Sequence, residues 1–218
     1  LYMIAPNIKI KNIVLIVASL FFYAWGEPVW VILLIYSSLI DYVCGGLAGK
    51  HKNTKKGRIF MAVSLVLNLG LLAFFKYGDF FIDTVNSLLN VRIPNTGVSL
   101  PIGISFYTMQ TISYTIDAYR GKVKVQKSFM NFLLFVSMFP QLVAGPIVRY
   151  EDIEIELADR KTTWQDIYEG ILRFVRGLAK KVLIANYAGS LAVTYLDGNL
   201  SNQSAPYLWF GLLCFTFQ

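Results

Sequence analysis

Apolar residues fall in long runs at positions 13–25, 29–47, 59–75, 100–119 and 129–148, parted by short polar segments. A helix needs about 20 mostly apolar residues to cross a bilayer, so the pattern predicts a bundle of membrane-spanning helices. Gly26, Glu27 and Pro28 read as a tight turn between the first two runs. Segment 76–99 is mixed, and its stretch FFIDTVNSLL is amphipathic, as expected of an element lying in the interface. A last run, 207–217, is too short to cross.

The polar segments orient the bundle. GKHKNTKKGR (49–58) carries Lys50, Lys52, Lys55, Lys56 and Arg58. RGKVKVQKS (120–128) carries Arg120, Lys122, Lys124 and Lys127. Neither contains an acid. An even number of crossings separates them, so the positive-inside rule places both in the cytoplasm, with 1–12, and puts 26–28 and 76–99 outside. Segment 149–163 is acidic, with Glu151, Asp152, Glu154, Glu156 and Asp159. A helical pattern follows over 164–181. Ile167, Ile171, Leu172, Val175 and Leu178 share one face, and Arg173, Arg176, Lys180 and Lys181 lie mostly elsewhere. An arginine at the bilayer centre costs about 2.5–3.5 kcal/mol, so this helix is expected at the cytoplasmic interface.

That placement requires the run at 129–148 to break and re-enter instead of crossing. The stretch FPQLVAGPI (139–147) suits a break. Pro140 and Pro146 lack backbone donors, and Gly145 loosens the backbone between them. Irregular backbone at membrane depth survives only when buried in protein or lining a wet cavity. Two readings stay open: a channel wall, or a kinked span that only packs.

Composition agrees with the pattern. Hydrophobic residues make up 56% and charged residues 15%, against about 25% charged in a soluble domain. That excludes a disordered chain and an ordinary soluble domain. The net charge of +7 sits in short loops, so it reads as orientation and not as nucleic-acid binding. Cys44 and Cys214 lie in apolar runs, which argues against a disulfide framework. The chain begins at Leu1 without a cleavable leader and ends at Gln218 inside an apolar run. It is therefore expected to be a piece of a longer membrane protein.

Candidate chemistry is sparse. His51 is the only histidine, set among lysines with no orienting carboxylate nearby, and reads as a solvated loop residue and not as a general base. No phosphate loop, nucleophile elbow or metal-ligand spacing occurs. Asp117, three residues before Arg120, reads either as half of an interfacial ion pair or as an anchor at the cytoplasmic mouth of a channel. Asp41 is expected to snorkel toward the 49–58 loop. Channel candidates are Pro140, Gln141, Gly145, Pro146 and Arg149. Gln141 offers an amide to a polar substrate. Arg149 offers a charge to an anionic donor or a lipid headgroup, or merely anchors a helix end. Arg173, Arg176, Lys180 and Lys181 would dock an acidic donor or hold the helix on lipid. Ser105, Tyr107, Thr108, Gln110, Thr111, Ser113, Tyr114 and Thr115 make the fourth run polar enough for a lining face or for inter-helix bonds. Gly45 and Gly49 form a small-x-x-x-small pair suited to close helix packing.

LPIGISFYTMQTISYTIDAYRG (100–121) and FPQLVAGPIVRY (139–150) resemble the membrane-bound O-acyltransferase family. FFYAWGEP (21–28), LLIYSSLIDYVCG (33–45), FFKYGDFF (74–81) and GLAKKVLIANY (177–187) extend the likeness through nearly the whole chain, toward the branch that holds the alginate O-acetylases. The resemblance implies an all-α polytopic bundle around a funnel in the bacterial inner membrane. Residues 1–218 would form a single membrane domain from the front half of such a protein, lacking its first helix. An acyl donor would arrive from the cytoplasm, and the acyl group would pass to hydroxyls of an extracytoplasmic polysaccharide such as alginate, with accessory acetylation proteins as partners. No bound cofactor or metal is implied, and the donor, acetyl-coenzyme A or an acyl carrier, stays open. The family's essential histidine is expected beyond Gln218, so the chain alone would be inactive. Some relatives carry histidine where Gln141 stands, so no catalytic role transfers to it. Acyl transfer to teichoic acid or peptidoglycan, including D-alanyl transfer, is the alternative within enzymes. A transporter-like protein or a non-catalytic scaffold is the alternative outside them.

Overall fold

The computed structural model describes residues 2, 5–143, 145–197 and 203–218, and the described residues form helices and loops without a strand. They divide into two compact units, Leu1–Arg160 and Lys161–Gln218.

In the first unit, α1 (Ile8–Gly26), α2 (Val31–Lys50) and α3 (Lys55–Leu89) are each long and apolar enough to cross a membrane. The stretch FFIDTVNSLL forms the far end of α3, which runs 35 residues, about 50 Å at 1.5 Å per residue. Nothing between 59 and 89 stops it, since Asp79 and Asp83 are isolated charges on an otherwise unbroken helical pattern. The chain turns at Asn90, which adopts the left-handed conformation with φ 50°. The following loop is tied back onto α3. Thr96 donates to the Asp79 carboxylate from its backbone N–H (2.8 Å) and its hydroxyl (2.7 Å), and Asn86 exchanges two bonds with the Ile93 backbone.

Helix α4 (Ile104–Arg120) is the axis of this unit. It packs against α2, α3 and α5, and residues on nearly every side of it are buried. Two glycines shape its contact with α2. A Cβ added at Gly45 would lie 2.7 Å from Tyr114 Cε1, and one at Gly49 would collide with Val125 and approach the Ala118 carbonyl at 3.3 Å. The small-x-x-x-small pair therefore does let two helices approach closely. Aromatic rings continue the packing beyond Tyr114, which meets Phe132 at a tilt (4.7 Å between centroids) and Tyr150 edge-to-face (4.9 Å).

The fifth apolar run does not form one helix. It gives α5 (Phe129–Ser137), a single turn α6 (Phe139–Leu142), an extended stretch, and then α7 (Tyr150–Ala158) inside the acidic segment. Nine residues of α5 rise only about 14 Å, far short of a bilayer. Met138 leaves helical geometry (φ −55°, ψ 114°), and Pro140 next has no N–H to continue the ladder. Gly103, at φ +79°, lets the start of α4 lie against this segment: a Cβ there would sit 2.8 Å from the Leu142 carbonyl oxygen.

In the second unit, α8 (Trp164–Lys180) matches the predicted amphipathic helix. It continues through a π-helical turn, Lys181–Ala185, into α9 (Asn186–Leu196), which pairs with α10 (Ala205–Phe217). The pairing is close because Gly211 meets the Leu196 and Tyr195 side chains. Asn199 and Asn202, whose N-x-S matches are chance-level motifs, lie outside the described residues.

Candidate functional site

A polar seam runs through the centre of α2, α3 and α4. Ser37, Asp41, Ser64, Asn68, Thr111 and Thr115 are all buried there. The Asp41 carboxylate accepts from the Ser64 hydroxyl and from Asn68 Nδ2, which lies 2.9 and 3.0 Å from its two oxygens. Thr115 Oγ1 sits 3.4 Å away. Asn68 is the hub: its amide also donates to the Ser64 carbonyl (2.9 Å), and its oxygen accepts from the Ser37 hydroxyl (2.7 Å). The expectation that Asp41 snorkels to the loop is therefore wrong. It is fully buried and points across the bundle because α3 and α4 supply donors at its own depth. Ser37 and Asp41 are one turn apart on α2, and Ser64 and Asn68 one turn apart on α3, so each pair shares a face.

The break forms a second polar cluster. Gln141, on α6, donates to the Phe135 carbonyl at 2.6 Å, and Gln110, on α4, donates to the same oxygen at 3.0 Å. The α5 ladder ends at this carbonyl, and two side-chain amides satisfy it. Buried hydroxyls of Tyr107, Thr108 and Ser137 have no hydrogen-bond partner among the described residues. Orphaned polar groups at such depth are costly unless something else meets them. Gln126 links the neighbouring elements. Its backbone N–H donates to the Tyr114 hydroxyl (3.0 Å) and its side-chain amide to the Tyr150 hydroxyl (2.9 Å). Burial pushes the Tyr150 hydroxyl well above its usual range, reinforced by Tyr114 and Glu154.

The structure gathers the sequence candidates unevenly. Of the channel set only Gln141 is buried; Pro140, Pro146 and Arg149 are exposed. Gly145 lies against the turn of α6, where a Cβ would collide with Pro140 and Gln141. Arg149 caps α7, its backbone N–H donating to Asp152. Asp117 is buried in the last turn of α4, and its carbonyl accepts from the Lys122 N–H at 2.9 Å. Arg173, Arg176, Lys180 and Lys181 are all exposed, and α8 buries no residue. His51 caps the end of α2, its Nδ1 lying 3.1 Å from the Leu47 carbonyl. Among the described residues no cluster of His, Cys, Asp and Glu suits a metal ion. Sequence reasoning missed Ser37, Ser64 and Asn68. Their signal was present as polar residues at i, i+4 spacing inside otherwise apolar runs.

Over 96% of its length the chain is 34% identical to the probable alginate O-acetylase AlgI of Pseudomonas aeruginosa. Over all of its length it is 33% identical to the protein of the same name from Azotobacter vinelandii. Over nearly its whole length the chain is thus similar to alginate O-acetylases. It is also 30% identical, over 98% of its length, to a peptidoglycan O-acetyltransferase of Helicobacter pylori. The chain spans between 41% and 46% of the length of these relatives. No family model and no solved structure matches it. The polar seam and the broken segment thus belong to a membrane protein related to O-acetyltransferases.

Proposed function

We propose that the chain forms part of a bacterial inner-membrane O-acetyltransferase, which moves an acetyl group from a cytoplasmic donor to hydroxyls of an extracytoplasmic polysaccharide. The observation that carries this is the identity to alginate O-acetylases over 96% of the chain, a span that contains both α4 and the broken segment. Acyl transfer across a bilayer needs a path that tolerates polar groups at depth, and the polar groups buried around the break support that reading. Gln110 and Gln141 converge there on one carbonyl, and free hydroxyls lie near the centre of the bundle. In the reaction an acceptor hydroxyl attacks the acetyl carbonyl, its oxygen forms the new ester bond, and the donor leaves with the proton that a base has taken. Among the described residues no carboxylate orients His51, whose Nδ1 meets only the Leu47 carbonyl, so the reading assigns that proton to a histidine beyond Gln218.

The likeness to a peptidoglycan O-acetyltransferase supports a second acceptor. Deleting the coding region and measuring base-labile acetate on each surface polymer tests both. Loss from alginate-like material supports the first acceptor, and loss from peptidoglycan the second. Unchanged acetate on every polymer refutes the transferase reading.

A further inference from the structure

The two basic loops, far apart in sequence, meet in one concavity. Lys52 follows α2, and Lys122, Lys124 and Lys127 follow α4. Together they line a cavity of about 580 Å³ with Gly49 in its wall and Glu154 as its only acid. A neighbouring cavity of about 440 Å³ shares Lys127 and adds Lys50. Gly121 turns with φ +73° directly beneath Lys52, whose Cδ would lie 3.4 Å from a Cβ at that position. The positive-inside rule accounts for how many lysines these loops carry and on which side. It does not require them to face each other. Ammonium groups brought together repel, and charges of one sign in a cleft with apolar walls focus the potential and concentrate counter-ions. Val123 is buried in this wall. A volume of this size matches a small-molecule site and not a macromolecular surface, and lysine is an effective point-charge ligand for phosphate.

We infer that this cavity binds the phosphate groups of a soluble, multiply phosphorylated organic ligand from the cytoplasmic side. The inference rests on the acetyltransferase reading for its purpose: such a group is the charged handle by which an acyl donor would be held at the entrance. It moves donor docking from Arg173, Arg176, Lys180 and Lys181, which lie on a helix that buries no residue, to the lysines that line this cavity. An anionic lipid headgroup offers the same chemistry, and the experiment separates the two.

The probe is adenosine 3′,5′-diphosphate, with adenosine as the uncharged control, titrated into the whole chain in nanodiscs of phosphatidylcholine alone. Saturable binding of the diphosphate, and not of adenosine, is expected. The triple variant Lys52→Gln, Lys124→Gln, Lys127→Gln should weaken it by roughly tenfold or more, as loss of most of the focused charge demands. The equal-charge control Arg173→Gln, Arg176→Gln, Lys180→Gln should leave it within about twofold. Unchanged helicity by circular dichroism shows that the variants fold, as exposed lysines permit. Absence of saturable binding, or equal loss in both variants, overturns the inference. Retention of phosphatidylglycerol through these lysines, without binding of the soluble probe, also overturns it in favour of lipid. Binding does not depend on turnover, so a chain that binds the probe while no polymer is acetylated defeats the transferase reading and leaves the site standing.

Discussion

Replacing Asn68 by leucine tests whether the polar seam holds α2, α3 and α4 together. The side chain makes bonds to both Asp41 oxygens (2.9 and 3.0 Å), to the Ser64 carbonyl (2.9 Å) and from the Ser37 hydroxyl (2.7 Å). A hydrogen bond to a carboxylate is worth about 1.5–3 kcal/mol, and stranding the buried Ser37 hydroxyl adds about 1 kcal/mol. Bilayer-embedded helices find other partners when separated, and measured inter-helix bonds average only about 0.6 kcal/mol. Balancing these, Asn68→Leu should destabilise the bundle by about 2–4 kcal/mol, a factor of roughly 30 to 1,000 in the unfolding equilibrium. The double variant Asp41→Leu, Asn68→Leu removes the carboxylate as well as its partner. It should be less harmful than the sum of the two single changes by about 1–3 kcal/mol, since a polar group left alone costs more than a pair removed together. The assay is unfolding by sodium dodecyl sulfate in mixed micelles, followed by circular dichroism. A cost below about 0.5 kcal/mol for Asn68→Leu, or simple additivity in the double variant, would refute the view that Asn68 organises the seam.

Other substitutions probe packing and the break in the same assay. Gly45→Val should cost about 1–3 kcal/mol because its Cβ would press on Tyr114, 2.7 Å away, whereas Gly46→Val, with Val125 at 3.8 Å as its nearest neighbour, should change stability by less than about 1 kcal/mol. Equal effects at the two glycines would contradict the close approach of α2 and α4. Gln141→Leu alone should be mild, because Gln110 still serves the Phe135 carbonyl, and adding Gln110→Leu should then cost about 1–3 kcal/mol by leaving that oxygen unpaired. Two additive effects would show that the amides do not share a partner. At the start of α8, the backbone and hydroxyl of Thr163 donate to Asp166 and hold its carboxyl below the usual range. A group depressed in the folded state stabilises above its unfolded pKa, and that stabilisation is lost as pH falls through the folded value. A peptide of residues 161–182 should therefore lose helicity in acid and the Asp166→Asn peptide should not, and the same acid loss in both would exclude the cap as its cause.

What the sequence shows well is what depends on local pattern. The spans at α1 and α2, a break near 139–147 and the helix from Trp164 follow from apolar run length, proline position and the shared face of Ile167, Ile171, Leu172, Val175 and Leu178. The long α3 was obscured because a reader of hydropathy stops at Lys76, while a helix continues until its backbone meets a reason to turn, here Asn90. The site was less legible. Gln141 announced itself beside two prolines, but its tie to Gln110 joins residues 31 positions apart and depends on how α4 meets the break. Asp41 pointed toward its loop in one dimension, and only the packing of α3 shows that Asn68 lies closer to it. The lysines were read as orientation signals alone, and their convergence is visible only once the ends of α2 and α4 lie side by side.

The most direct test of the proposed function uses sealed membrane vesicles of both orientations that carry the protein and its polymer acceptor. Labelled acetyl donor is supplied from outside, and ester-linked label is counted on the polymer. Incorporation should occur in inverted vesicles, where the lysine-lined loops face the donor, with the label recovered on polymer enclosed in the lumen, and it should be absent from right-side-out vesicles. Equal incorporation in both orientations, or none above vesicles lacking the protein, would contradict acetyl transfer across the membrane by this bundle.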